Sequence, residues 1–125
     1  MQHLPTILLA FADAKGDLPQ LKQESSALKD AFLLLEHEGL IHLEREESIT
    51  VAELGNRLTH YLSSLVVFHY AGHAHGTGLL FEGSEARADG LAGMLAQAPY
   101  LRLVFLNGCE TAAQAQRLFD DAATT

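Results

Sequence analysis

Two segments of this 125-residue chain run from an apolar stretch into residue types that do chemistry. VVFHYAGHAH, from Val66 to His75, delivers His69, His73 and His75. LRLVFLNGCET, from Leu101 to Thr111, delivers Cys109, the only cysteine. An imidazole beside a thiol is the minimum equipment for nucleophilic acyl transfer. The base removes the thiol proton and later returns it to a leaving amine. It is needed because an unperturbed thiol is mostly protonated near neutral pH. Cys109 also stands just before a helix read over Ala112 to Asp121. A helix N-terminus favours negative charge, and a backbone N–H there can face a developing oxyanion. Gly72 before His73 and Gly108 before Cys109 let the backbone turn tightly and leave room for substrate. The plainer reading makes Cys109 a small buried hydrophobe and His73 a satisfied polar residue.

What decides between these readings is whether the chain brings the two turns together. Thr6 to Phe11 (TILLAF) reads as a short buried strand, followed by the polar loop ADAKGD. Leu18, Leu21, Leu28, Phe32 and Leu35 recur at helical spacing, with Asp17 as N-cap, Pro19 in the first turn and Gly39 at the end. Leu40 to Leu43 is a short strand. Thr50 and Glu53 form a capping-box pair ahead of Val51, Leu54, Leu58 and Leu62. Leu65 to Tyr70 is a strand, Leu79 to Phe81 a short strand or extended loop, Leu91 to Ala98 a helix stopped near Pro99, and Leu103 to Leu106 a further strand. Strands alternating with helices call for a parallel α/β sheet with functional loops beyond the carboxyl ends of its strands. If the strands before His73 and Cys109 are neighbours, the two residues leave one sheet edge about 4.8 Å apart.

The other histidines separate from this pair. His69 lies within its strand and reads as a buried structural histidine bonded to a backbone group or water. His73 and His75 with Cys109 make a zinc site the sharper alternative, but neither HExxH nor a CxxC pair is present. No nucleotide-binding loop is present either, HGTGLLFEG lacking a lysine.

Composition bounds the partners. The chain is 48% hydrophobic and 19% charged, which fits one domain, residues 1–125, with a real core. Eight basic against sixteen acidic residues give a net charge of −8, which argues against nucleic acid or an anionic membrane. The EREE run at Glu44 to Glu47 reads as a solvated edge. One cysteine excludes an internal disulfide and suits a reducing compartment. Without a spanning segment or a leader-like start, cytoplasm is the expected location.

With HYAGHAH and VFLNGCET side by side, the chain resembles the CHAT domain, a bacterial branch of the caspase-like cysteine peptidases that includes relatives of separase. The order of elements carries the resemblance along nearly the whole chain, and its specificity lies in Gly72-His73 and Asn107-Gly108-Cys109. It implies a caspase-like three-layer α/β/α sandwich with a mainly parallel sheet. Here that would be the N-terminal, large-subunit-like portion, with about four main strands. It also implies hydrolysis of protein or peptide substrates through a thioacyl-enzyme in bacterial signalling or defence, with no cofactor. Cys109 would be the nucleophile, His73 the acid/base, and the amides of Cys109 and Ala74 the oxyanion hole. Caspases usually carry Gly at the place of Ala74. Lys15, after the first strand, would favour an acidic side chain if it reached the substrate pocket; otherwise it is a solvated loop lysine. Because the elements stop at the helix after Cys109, the resemblance implies a processed or truncated piece, completed by a C-terminal fragment or by self-association. The competing expectation is a catalytically inactive interaction module of the same fold.

Overall fold

A computed structural model describes residues 4–12, 20–75, 78–81 and 84–107. Its elements are β1 (Thr6–Ala12), α1 (Gln20–His37), β2 (His42–Glu47), α2 (Val51–Tyr61), β3 (Leu65–Gly72), β4 (Ala74–His75), β5 (Gly78–Phe81), β6 (Ser84–Arg87), α3 (Ala88–Leu95) and β7 (Leu103–Asn107). Four strands form a parallel sheet in the order β2-β1-β3-β7. The expected α/β architecture is therefore present, and β3 and β7 are neighbours.

The central strands are apolar because both of their faces are covered. All seven residues of β1 are buried. Leu8 and Ala10 join Phe68 and Tyr70 of β3 in a core with Leu54 and Leu58 of α2 and Leu91 and Leu95 of α3. Ile7, Leu9 and Phe11 point the other way, toward Leu21, Leu28 and Phe32 of α1. Helices thus cover both faces of the sheet. Among the described residues no helix is long and apolar enough to cross a membrane.

Local signals explain the boundaries. Thr50 Oγ1 accepts from Glu53 N–H while the Glu53 carboxylate accepts from Thr50 N–H, the reciprocal cap read from the sequence. Gly39 takes a φ of +75° and lets Leu40 N–H turn back onto Leu35 O, ending α1. The α1 stripe is shorter than its spacing suggests. Leu35 is exposed, and Glu36 instead reaches inward to accept from Leu43 N–H. The caps placed at Asp17 and Pro19, and the helix from Ala112, lie outside the described residues.

Besides α3, which runs from Ala88 to Leu95 and not from Leu91 to Ala98, two parts of the fold differ from the sequence reading. The second strand begins at His42 and takes in the EREE run, where Glu44, Arg45 and Glu46 are half-buried and not fully solvated. An edge strand tolerates these charges because neighbours meet them. Arg57 bonds Glu46 at 2.6 Å, Tyr61 Oη donates to Glu44 at 2.8 Å, and Ser25 Oγ donates to Glu47 at 2.8 Å. Burial acts to raise the Glu44 carboxyl, but hydrogen bonding with Glu46, His42 and Tyr61 outweighs it and leaves the group below its ordinary value. The second difference lies beyond β3, where β4, β5 and β6 form a small antiparallel sheet. Only β5 shows in the sequence as an apolar run.

Candidate active site at the carboxyl edge of the sheet

Three strands finish together. Gly72 at the end of β3 pairs with Ala12 at the end of β1, and Ala71 pairs with Asn107 at the end of β7. The segment after β1, the turn after β3 and the segment after β7 therefore leave the same edge, where parallel sheets bind ligands.

His73 follows β3 directly and is half-buried. Its backbone is fixed from two sides. Its carbonyl accepts from Leu80 N–H at 2.9 Å. It also lies 2.6 Å from the hydroxyl of fully buried Tyr70, which is 2.7 Å from Leu80 O. One phenolic proton thus serves two carbonyls and ties the turn to β5. Burial pushes this phenol well above its ordinary range, which keeps it a donor.

Gly72 is required by this arrangement. A Cβ there would stand 2.5 Å from Tyr70 Oη and 2.6 Å from the Ala12 carbonyl oxygen. The expectation that glycine lets the chain turn becomes more specific: no side chain fits between β1 and the Tyr70 hydroxyl.

Ala74 begins β4 and is paired with Leu79. Antiparallel pairs alternate between hydrogen-bonded and non-hydrogen-bonded. The bond from Leu80 N–H to His73 O makes the Ala74–Leu79 pair the non-hydrogen-bonded kind. The Ala74 N–H is therefore turned away from β5. His75 is the second residue of β4 and pairs with Gly78.

His69 is 5% exposed, as a structural histidine should be, but its surroundings differ from the sequence reading. Its ring stacks on Phe105 at 5.0 Å with 7° between planes, and Phe11 lies 5.7 Å away. Nε2 has no hydrogen-bond partner, and the nearest anionic atom is Glu24 Oε2 at 3.7 Å. Burial lowers the imidazole pKa, and the Glu24 charge opposes that shift only in part.

Of the predicted site residues, the described structure places Gly72, His73 and Ala74 in one turn. Cys109, Gly108 and Lys15 lie outside the described residues. Cys109 follows Asn107 by two residues, as His73 follows Ala71, and Ala71 and Asn107 are register partners. Among the described residues no group of three His, Cys, Asp or Glu side chains is arranged to hold a metal ion.

Tyr70, Glu24 and Asn107 also contribute side chains to this edge, and none of them stands out in the sequence as a site residue. Tyr70 looks like core filling in the sequence. Glu24 has a signal, because it stands three residues after Leu21 and four before Leu28, inside the apolar stripe of α1. A carboxylate in that phase must meet something on the sheet. Asn107 Nδ2 meets it, donating to Glu24 Oε1 at 2.5 Å. Compared with protein-family models and with curated proteins, the sequence matches none.

Proposed function

We propose that this chain is a cysteine peptidase of the caspase-like, CHAT type, with Cys109 as nucleophile and His73 as general acid/base. The observation that carries the reading is the parallel pairing of β3 with β7. It sends the segments bearing His73 and Cys109 out of one edge from matched register positions. The turn at His73 is held by Tyr70 and Leu80, so the base stands on fixed backbone.

In the proposed reaction His73 takes the Cys109 proton as sulfur attacks the scissile carbonyl carbon. The oxyanion is received by the backbone N–H groups of Cys109 and Ala74. The orientation of the Ala74 N–H away from β5 supports its part in this. Collapse breaks the C–N bond, and His73 protonates the departing amine. Water, deprotonated by His73, then cleaves the thioester, releases the acid and restores the thiol. The loop carrying Lys15 leaves β1, the other neighbour of β3, and an ammonium there would favour an acidic substrate side chain. The single cysteine suits a reducing compartment, and we place the protein in the cytoplasm of a bacterium, in signalling or defence.

A second reading is a non-catalytic interaction module, or a fragment completed by another chain. It is favoured by β7, an outer strand of the described sheet whose Leu103 and Phe105 are 52% and 50% exposed. Incubation with a proteome-derived peptide library separates the two. The peptidase reading predicts new peptide termini with the wild-type chain and none with Cys109→Ala or His73→Ala. Cleavage retained by Cys109→Ala would show that the nucleophile is another group.

A further inference from the structure

Glu24 sits near the start of α1, where turning its carboxylate into water would cost nothing in desolvation. It instead lies against the sheet, its side chain 26% exposed. Its Oε2 is buried without a hydrogen-bond partner, facing His69 Nε2, the only other buried side-chain atom so placed among the described residues. Burying a carboxylate oxygen without a hydrogen-bond partner is unfavourable, so the other oxygen must gain something in this orientation. That oxygen accepts the short bond from Asn107 Nδ2 at the last residue of β7. The bond joins positions 83 residues apart, and a charged acceptor makes it one of the stronger kinds. The His69 ring, whose Nε2 lies 3.7 Å from Glu24 Oε2, is stacked on Phe105 of β7.

We propose that Glu24 is a positioning residue, whose bond to Asn107 fixes the end of β7, the strand that leads into Cys109 two residues on. The inference rests on Cys109 as the proposed nucleophile, yet it concerns where the end of β7 is held and not what the thiol does.

The test is the rate of Cys109 alkylation by iodoacetamide in the full folded chain at about pH 9.5, above the ordinary thiol pKa. There the rate reads access to Cys109 and is insensitive to activation by His73, which a His73→Ala control verifies. Glu24→Ala and Asn107→Ala should each speed labelling about tenfold, the scale of one lost hydrogen bond to a charged group. The double variant should be no faster than either single one. Glu24→Gln, which keeps an oxygen to accept from Asn107, should label near the wild-type rate. A wild-type rate in Asn107→Ala or Glu24→Ala overturns the tether, as does a Glu24→Gln rate equal to that of Glu24→Ala. Asn107 is exposed, so its variant carries the comparison even if Glu24→Ala does not fold. A peptidase assay without turnover beside these rate changes would remove the catalytic reading and leave the tether standing.

Discussion

Tyr70 and Gly72 act on the backbone at His73, and two residues along one strand thereby decide where an imidazole emerges. Gly72→Ala would force a methyl group against Tyr70 Oη and the Ala12 carbonyl, of which the latter is backbone and cannot rotate away. Overpacking of this kind costs about 1–3 kcal/mol. We expect a loss of about 2 kcal/mol in urea unfolding, with a displaced His73 turn. A melting profile identical to wild type would mean the turn has room that the geometry denies. His69 adds a dependence on pH. Burial holds its folded pKa below the unfolded value of about 6.5. The unfolded chain therefore takes up the proton first, so stability is full above pH ~6.5 and falls as the pH drops toward the folded pKa. His69→Phe, which keeps the aromatic stack on Phe105, should flatten the decline measured between about pH 7 and pH 5.

Elements that carry their own punctuation are legible in the sequence. The Thr50–Glu53 box and Gly39 mark helix ends because the atoms involved are close along the chain and need no tertiary partner. Thr50→Ala should accordingly destabilise the protein by about 1 kcal/mol, readable in the same unfolding experiment. The apolar runs of β1, β3 and β7 are legible for a different reason: a strand buried on both faces has few alternatives. What stays hidden depends on distant partners. The charges of β2 look like loop until Arg57, Tyr61 and Ser25 are placed around them. β4 and β6 are short strands with little apolar content of their own, formed by pairing with β5. The His73 turn follows from residue type and position along the chain. Its support by Tyr70, and the bond of Glu24 to Asn107, acquire meaning only once the sheet is assembled.

At the scale of the whole molecule, the strand order makes one outer strand of the described sheet polar and the other apolar. β2 is lined with charges, which discourage edge pairing, whereas β7 presents Leu103 and Phe105. An exposed apolar outer strand favours association, so Phe105→Glu should shift the chain toward the monomer in analytical ultracentrifugation. A wild-type chain already monomeric at high concentration would argue against the edge as a docking surface. The same asymmetry puts the proposed chemistry on the side of the sheet away from β2, with His73 and Cys109 leaving the two strands farthest from it. The alkylation rate of Cys109 as a function of pH tests that pairing without knowledge of substrate. The thiol should titrate below the ordinary value of about 8.5, and His73→Ala should return it to that range. A wild-type Cys109 that titrates as an ordinary thiol, unchanged by His73→Ala, would contradict the Cys–His site.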